Sequence, residues 1–354
     1  MSFENVFITG ATGYIGGEAL YQLLNNKEGR KFNITALVRN EAKSEKLLKA
    51  TNHQVSTVIG TLDDTELFKE QILKNDVIIN TADVDNVPHA QVLHDTLIKI
   101  DRPTILIHTS GTSVIGDDLS ADKNATTKIY SDVKDIDEIN KLPEKQPHRP
   151  VDKLVLDIEE HNPKVKTVII SPSTIFGLSD GYDKITSIQI PMLINACLKR
   201  GKAFSVYNGN YIWSHVHIKD LGDLYYLLLS KLTTGDKSLP TGKKGYYFGA
   251  YTLKDEGSVT TRASAIEHTW AEVSKVVAQE LKERNLIESD EVSHADPEDV
   301  VKYTSFDFGP YLWGTNARSR ADNAYAIGWK PKYSDPNSFW GSIGPDVDHV
   351  VKSG

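Results

Sequence analysis

The stretch that decides the fold is Thr9-Gly10-Ala11-Thr12-Gly13-Tyr14-Ile15-Gly16-Gly17, which follows the apolar run Val6–Thr9 and begins a helical pattern. Gly10 permits a tight turn, Gly13 lets the backbone approach a pyrophosphate, and Gly16 allows a helix to pack closely on a strand. The free N–H groups and the positive end of the helix dipole would then face the phosphates. The stretch therefore predicts a strand, a phosphate-binding turn and a helix, in that order.

Short apolar runs alternate with helical patterns on the C-terminal side of this turn, which is typical of repeated βαβ units and a parallel sheet covered on both faces. The predicted strands are Val6–Thr9, Ile34–Val38, Val55–Ile59, Val77–Asn80, Ile105–His108 and Val168–Ser171. The predicted helices cover about Ile15–Asn25, Glu41–Lys49, Thr65–Lys74, Pro88–Ile100 and Val151–His161. The sequence thus predicts an α/β fold with a Rossmann-type, doubly wound parallel sheet.

The regular alternation is interrupted by a polar insertion at about residues 114–147, where Ile129, Val133 and Ile136 predict a short surface helix that ends before Pro143. Beyond residue 175 the pattern is mainly helical and has no βαβ alternation of its own. We expect residues 1–175 to form a nucleotide-binding domain and residues 176–354 to form a smaller, mostly helical substrate lobe. Part of 205–232 is expected to return to the core of the first domain.

The composition excludes several classes of protein. With 48 acidic and 40 basic residues, the 354-residue chain has a formal charge of −8, which disfavours a nucleic-acid partner. The single cysteine, Cys197, cannot form an internal disulfide bond. No apolar run reaches the length of a membrane span, and no basic leader precedes the first strand. We therefore expect a cytoplasmic protein that binds a small-molecule substrate and has no membrane partner.

The TGxxGxxG spacing resembles that of the short-chain dehydrogenase/reductase superfamily, in its extended and atypical branches with NAD-dependent epimerase/dehydratase-like and NmrA-like members. The resemblance covers nearly the whole chain, because further family-like motifs follow in the same order. These motifs are Thr61-Leu62-Asp63-Asp64, Asn80-Thr81-Ala82, Thr109-Ser110-Gly111-Thr112, Ser171-Pro172-Ser173, the HVxD-like Trp213–Asp220 and the LGWxP-like Ile327–Pro331.

The resemblance implies a nicotinamide dinucleotide bound beyond the carboxyl ends of the strands. Its implied contacts are Gly10, Thr12, Gly13, Tyr14 and Ile15 at the turn, Leu62 or Asp63 at the adenine, Thr81 and Ala82 towards the nicotinamide, Ser110 on the cofactor, and Pro172 and Ser173 at the nicotinamide end. Asp63 or Asp64 could also cap the helix that begins at Thr65.

Two cations indicate which nicotinamide cofactor is preferred. A site for NAD usually presents a carboxylate at the end of the second strand, whereas this strand ends at Arg39. Arg39 could bind the 2′-phosphate of NADP with two hydrogen bonds, and Lys43 could add a second positive charge one helical turn later. The alternative is that both are ordinary solvated residues. We predict NADP(H) in preference to NAD(H).

The family's catalytic tyrosine and the lysine four residues after it are altered in this chain. On the crossover helix Lys153 matches the lysine position and would hold the nicotinamide ribose, while Arg149 occupies the tyrosine position. Arg149 could stabilise an oxyanion, and His148 could donate a proton. The only literal YxxxK, Tyr130 to Lys134, lies in the insertion, and Tyr130 could act only if that segment folds back over the strand ends.

The family's serine position is also altered, since Gly111 is in closest register. We expect Thr112 to hydrogen-bond the substrate oxygen and Ser110 to contact the cofactor, although either hydroxyl could do the former. The missing tyrosine makes the chain similar to atypical fungal-type members in which an HRxVD segment replaces that motif.

The resemblance implies an NADP(H)-dependent oxidoreductase that transfers hydride to or from a small carbonyl or hydroxyl compound. The alternatives are an epimerase or dehydratase with a tightly held nucleotide, and a catalytically silent, NADP-sensing regulator of the NmrA-like kind. Monomer and homodimer both remain open. We predict no metal site, because His53, His89, His94, His161 and His268 lack ligand-like spacing and the alternating His215 and His217 face opposite sides of a strand.

Overall fold

The computed structural model describes residues 3–119, 128–252 and 266–353. Its strands are β1 (Asn5–Thr9), β2 (Asn33–Val38), β3 (Val55–Ile59), β4 (Val77–Asn80), β5 (Thr104–Thr109), β6 (Tyr130–Ser131), β7 (Val165–Pro172), β8 (Thr174–Phe176), β9 (Phe204–Val206), β10 (Ile212–His217), β11 (Tyr246–Gly249), β12 (Glu267–Thr269), β13 (Ser293–Ala295) and β14 (Ser319–Arg320). Its helices are α1 (Tyr14–Leu24), α2 (Glu41–Ala50), α3 (Thr65–Lys74), α4 (Val87–Leu97), α5 (Ile136–Ile139), α6 (Arg149–His161), α7 (Gln189–Arg200), α8 (Ile218–Thr234), α9 (Trp270–Glu283), α10 (Pro297–Thr304), α11 (Gly309–Gly314), α12 (Asp322–Ala326), α13 (Pro336–Gly341) and α14 (Ile343–Ser353).

Among the described residues, seven strands form one parallel sheet in the order β11-β7-β5-β4-β1-β2-β3. β1 pairs on one side with β2 and on the other with β4, where Thr9 lies opposite Asn80. The direction of winding reverses between β1 and β4, so a crevice opens beyond their carboxyl ends, where open α/β sheets bind ligands. The predicted doubly wound fold is confirmed.

Helices cover both faces of the sheet because its central strands are apolar throughout. β4 and β5 are buried along their whole length, as expected for parallel strands covered on both faces. On α6 the predicted stripe packs on the sheet, with Val151, Val155 and Ile158 buried and Leu154 partly so. The helix therefore presents its polar face outward and delivers its first residues to the crevice.

The part of the chain beyond β7 divides between the sheet and a smaller, mainly helical lobe. β11 adds to the edge of the sheet beside β7, and α8 packs on α1. β10 lies between β8 and β12 in a small sheet at the strand ends. Trp329 Nε1 donates to Asp220 O at 2.8 Å, which joins the two C-terminal motifs. The buried carboxylate of Asp220 also accepts hydrogen bonds from the N–H groups of Lys332 and Tyr333 at 2.7 and 2.8 Å.

The insertion differs from its prediction. Tyr130 lies on β6, which pairs with β14. The predicted short helix is present and ends before Pro143, but it is confined to Ile136–Ile139 and does not include Ile129 or Val133. The reason is Asp132, which is buried and accepts hydrogen bonds from the N–H groups of Phe248 and Asn323, both at 2.9 Å. Burial raises the pKa of Asp132 to about 8. The segment is thus docked beside β11 and α12.

Within the described ranges, no helix has the length and apolar character needed to cross a membrane.

Candidate nucleotide and catalytic site

A cavity of about 1020 Å³ lies beyond the carboxyl ends of β1, β2, β4, β5 and β7. Its volume is at the upper end of the usual range for ligand pockets. Fifteen of the residues predicted from sequence line it together: Gly10, Thr12, Gly13, Tyr14, Ile15, Arg39, Lys43, Leu62, Thr81, Ala82, Ser110, Thr112, His148, Pro172 and Ser173. The structure therefore brings most of the predicted site to one place.

The glycine turn forms one end of this cavity. Gly10 has a φ of +73°, and a Cβ atom added there would lie 2.5 Å from Thr81 Oγ1. A Cβ at Gly16 would lie 2.3 Å from both Gly10 O and Thr81 Oγ1. No described side chain caps α1, so the N–H groups of its first turn are left for a ligand. A helix N-terminus of this kind is a common binding site for phosphate groups.

The end of β2 gives the cavity its positive charge. Arg39 is exposed and lines the cavity, and the next residue, Asn40, caps α2 by accepting a hydrogen bond from Lys43 N at 2.9 Å. The ammonium group of Lys43 is paired with Asp183, which also pairs with Lys46. Burial raises the pKa of Asp183, but these two lysines lower it below its ordinary value.

The segment 177–188 runs across the glycine turn, and sequence reasoning did not anticipate it. Tyr14 OH donates a 2.6 Å hydrogen bond to Gly177 O. The buried carboxylate of Glu18 accepts hydrogen bonds from Ser179 Oγ at 2.8 Å and Asp180 N at 2.7 Å. Asp183 belongs to the same segment, so its ion pair with Lys43 connects segment 177–188 to α2.

The opposite end of the cavity contains a chain of three hydrogen-bonded side chains. Ser113 Oγ lies 2.5 Å from His148 Nε2, and His148 Nδ1 lies 2.8 Å from Asp85 Oδ1. A carboxylate only accepts, so Nδ1 carries the proton of the neutral ring and Nε2 accepts from Ser113. Partial burial raises the pKa of Asp85, but the hydrogen bonds from His148 lower it by more. The net result is a pKa below the ordinary value of an aspartate.

The backbone of His148 is also specialised. Its φ of 66° lies in the left-handed region, which is uncommon for a residue other than glycine. Its N–H donates to Asp85 Oδ1 at 3.1 Å, so one carboxylate holds both the ring and the backbone. Strained backbone of this kind persists where the surroundings fix it and is concentrated at functional sites.

Gly111 explains why the family's serine is absent at this position. A Cβ atom there would lie 2.9 Å from His148 Nε2. A side chain at residue 111 would therefore displace the imidazole ring. The hydroxyl that contacts the imidazole ring is that of Ser113, and the buried Thr112 Oγ1 beside it has no partner among the described residues.

A buried carboxylate lies beneath this end of the cavity. Asp152, four residues after His148, accepts hydrogen bonds from Ser110 Oγ and Tyr246 OH, both at 3.0 Å. Its second oxygen lies 4.0 Å from His108 Nε2. Burial raises the pKa of Asp152 to about 6. His148 and Asp152 are thus four residues apart, one residue before the pair Arg149 and Lys153 that was predicted from sequence.

Four predicted site residues lie away from the cavity walls. The Lys153 ammonium pairs with Glu144 at 2.8 Å on the surface. Arg149 is buried but donates to the carbonyl oxygens of Leu142 and Asn140. Tyr130 packs under Lys128, whose ammonium lies 4.7 Å from the ring centre, and Asp63 is exposed beside the lining residue Leu62. The geometry gives the first three no access to a reacting atom in the cavity.

The two histidines of β10 also lie away from the cavity. His215 is buried and stacks on Phe339 with a centroid distance of 4.2 Å, and His217 Nδ1 accepts from Lys219 N at the start of α8. Burial lowers the pKa of His215 to about 3 and that of His217 to about 4. Both histidines are structural, and Trp213 of the same strand lines the cavity instead.

The smaller lobe contributes an apolar wall that the sequence did not reveal. Trp213, Phe306, Phe308 and Leu312 line the cavity, and the rings of Phe308 and Tyr311 stack at 4.7 Å. Tyr311 OH donates to Ser113 O at 3.2 Å, which places this wall beside the Ser113–His148–Asp85 chain. Trp213 begins the HVxD-like motif, but no sequence motif marks Phe306, Phe308 or Leu312. The signal in the sequence that could have identified His148 and Asp152 is that they are four residues apart at the start of the crossover helix.

Comparisons with known proteins agree with this architecture. Residues 6–239 match the sequence model of the NAD-dependent epimerase/dehydratase family. The chain is 30% identical over 342 residues to the oxidase ucsJ of Acremonium sp., covering 93% of each chain.

Two solved structures share the fold at low identity. One is the dTDP-glucose 4,6-dehydratase DesIV double mutant of Streptomyces venezuelae with NAD and DAU bound, with a TM-score of 0.65 at 15% identity over 96% of this chain and 95% of that one. The other is the UDP-glucuronic acid 4-epimerase of Bacillus cereus in complex with UDP-glucuronic acid and NAD, with a TM-score of 0.62 at 12% identity over 99% and 100%. With two thirds of its length matched, from β1 past α8, this chain belongs to the NAD-dependent epimerase/dehydratase family.

Proposed function

We propose that this protein is an NADP(H)-dependent oxidoreductase that transfers hydride to or from a small carbonyl or hydroxyl compound. The observation that carries the proposal is the Ser113–His148–Asp85 chain, which lies in the same cavity as the glycine turn. Family membership and the oxidase relative support an oxidoreductase-type enzyme that uses a nicotinamide dinucleotide.

The cofactor fits the residues present at its end of the cavity. The first turn of α1 would bind the pyrophosphate, and Gly10 and Gly16 allow the turn to pack against Thr81, where a Cβ atom would clash. Arg39 would bind the 2′-phosphate of NADP, because its guanidinium can form two charge-assisted hydrogen bonds to a phosphate. Lys43 would join it by exchanging Asp183 for the phosphate. A bound nicotinamide supplies the hydride chemistry.

The chain's own contribution to the reaction is the proton. In the reduction direction, a protonated His148 donates from Nε2 to Ser113 Oγ while the Ser113 hydroxyl donates its proton to the substrate oxygen. His148 is left neutral, with its remaining proton on Nδ1 facing Asp85. The Asp85 carboxylate fixes the orientation of the ring through its hydrogen bond with Nδ1. In oxidation the same groups take the proton in reverse.

The walls of the cavity favour an uncharged substrate with an apolar body. Trp213, Phe306, Phe308 and Leu312 offer ring and alkyl surface next to Ser113. Among the described lining residues, the lysine and arginine side chains belong to the nucleotide end: Arg39, Lys43 and Lys184. We therefore propose aromatic or alkyl aldehydes, ketones or alcohols in preference to sugar nucleotides, whose diphosphates call for cations.

A serine–histidine–aspartate chain also serves as the nucleophilic unit of hydrolases. Hydrolysis is therefore the second candidate that the geometry favours. It predicts activity on simple esters without any nucleotide, whereas the oxidoreductase proposal requires the nucleotide for every turnover.

The proposal is tested by titrating the full chain with NADPH and NADH, followed by turnover measurements. We expect NADPH to bind about tenfold more tightly or better, because hydrogen bonds between charged groups contribute about 1.5–3 kcal/mol. Loss of reduced-nucleotide absorbance on a panel of aldehydes, ketones and imines should then be fastest for apolar aromatic members. Tight NADPH binding with no turnover on any member would favour a silent sensor, and nucleotide-independent ester cleavage abolished by Ser113→Ala would favour a hydrolase.

A further inference from the structure

On the outer surface, α4 and α6 lie side by side and bring two imidazoles and a carboxylate together. His94 of α4 meets Asp157 and His161 of α6, and the three ligand atoms lie within 4.8 Å of one another. His94 Nε2 is 2.8 Å and His161 Nδ1 is 2.9 Å from the same oxygen, Asp157 Oδ2. Sequence spacing did not show this cluster because His94 and Asp157 are 63 residues apart.

The surroundings of His94 suggest what this cluster holds. Its other nitrogen, Nδ1, lies 2.9 Å from Asp95 Oδ1, which also accepts from Gln91 Nε2 at 2.8 Å. A neutral imidazole has one N–H, but both nitrogens of His94 face carboxylates. The ring therefore needs either a second proton or a metal ion at Nε2. With a metal at Nε2, the remaining N–H donates to Asp95, which is the usual carboxylate support of a metal-binding histidine.

We propose that His94, Asp157 and His161 bind one divalent transition-metal ion, with zinc as the representative ion. Two imidazole nitrogens and one carboxylate oxygen are a donor set that zinc accepts, at distances of about 2.0–2.2 Å. The side chain of His94 is 12% exposed and anchored, whereas those of Asp157 and His161 are 40% and 60% exposed. The latter two can therefore adjust around an ion, and its remaining coordination positions face solvent.

The position of this site relative to the cavity gives it a structural role. His94 follows Asp85 by nine residues, and Asp157 follows His148 by nine residues. The helices α4 and α6 run in the same direction, so Asp85 meets His148 at their beginnings and His94 meets Asp157 about 14 Å further along. A metal ion would fasten the far ends of the two helices whose near ends carry the hydrogen-bonded chain of the cavity.

The test uses the full chain without a histidine tag, stripped with a chelator and titrated with Zn²⁺ by calorimetry and with Co²⁺ by visible absorption. We expect one ion per chain and a cobalt spectrum with nitrogen and oxygen ligands. His94→Gln and His161→Gln should each weaken zinc binding at least tenfold. Asp95→Asn should weaken it about 10–100-fold through the lost support. His53→Asn, a change of an exposed histidine outside the cluster, should leave zinc binding unchanged.

Thermal unfolding with and without Zn²⁺ is measured on every variant. Zinc should raise the melting temperature of the wild type and of His53→Asn, and it should raise it less for the cluster variants. The proposal is overturned if the wild type takes up no stoichiometric zinc or cobalt, or if the cluster variants bind as the wild type does. In the first case His94 is a doubly protonated imidazole held by its two carboxylates. His148→Asn should bind zinc normally, so this result is independent of the proposed enzymatic activity.

Discussion

The two ends of the cavity are built by different means. At the nucleotide end, the backbone of nine consecutive residues, Thr9–Gly17, forms the phosphate-binding turn. At the substrate end, three side chains from separate segments, Asp85, Ser113 and His148, meet only in the folded chain. A change at the nucleotide end should therefore alter nucleotide affinity, whereas a change at the substrate end should alter turnover and leave that affinity intact.

The largest effect is expected at the substrate end. His148→Asn removes the proton-transferring ring, while asparagine tolerates the left-handed backbone at this position. We expect kcat to fall about 10²–10⁴-fold, the usual contribution of general acid–base catalysis. NADPH affinity, measured by fluorescence titration, should stay within about twofold, since catalytic-end groups are separate from the phosphate turn.

Ser113→Ala should reduce kcat to a similar level, and the double variant should lose little more, because groups that act as a unit are strongly non-additive. If the His148→Asn protein turned over at the wild-type rate, His148 would not be the proton donor and the substrate end would not control turnover as proposed.

The next effect is expected at the glycine turn. Gly10→Ala places a Cβ atom 2.5 Å from Thr81 Oγ1 at a φ of +73°. Strain of about 1–3 kcal/mol per such residue corresponds to a loss of nucleotide affinity of about 5–150-fold, for NADPH and NADH alike. Gly201→Ala is the matched control, because its φ is +69° and no atom lies within 4 Å of its added Cβ. If both variants lost nucleotide affinity equally, backbone strain alone would explain the effect, and the contact between the added Cβ atom and Thr81 would not be its cause.

A smaller and selective effect is expected at Arg39. Arg39→Ala should weaken NADPH binding about tenfold, the value of one or two charge-assisted hydrogen bonds, and should leave NADH binding unchanged. Lys31→Ala, which removes an exposed cation before β2, serves as the control. A parallel loss for both nucleotides would mean that Arg39 supports the site without contacting the 2′-phosphate.

The smallest effect concerns stability beneath the substrate end. The pKa of Asp152 is raised to about 6 by burial, so the unfolded chain releases this proton at lower pH than the folded chain does. This group therefore stabilises the fold below about pH 4, and that contribution is lost as the pH rises to about 6. Asp152→Asn should melt a few degrees above the wild type at pH 7.5, and the difference should shrink at pH 4.5. An unchanged difference between these two pH values would contradict the raised pKa.

The two ends also differ in how far the sequence predicted them. Three features could be predicted because neighbouring residues in the sequence determine them. These are the glycine turn from its glycine spacing, the strands from their apolar runs, and Arg39 from its position at the end of the second strand. The start of α6 was not, since His148 lines the cavity and Asp152 lies beneath it, whereas the sequence pattern favoured Arg149 and Lys153. Nothing in the sequence links Asp85 or Phe308 to this site, because folding alone brings them to it.

The exposure of Asp85 has a consequence for how protons are resupplied. Its side chain is 60% exposed, whereas that of its partner His148 is 11% exposed. The line of hydrogen bonds from Asp85 to Ser113 thus runs from a solvent-exposed carboxylate to a buried hydroxyl. In the proposed reaction, the proton that Ser113 gives to the substrate can therefore be replaced from bulk water through Asp85 and His148 between turnovers.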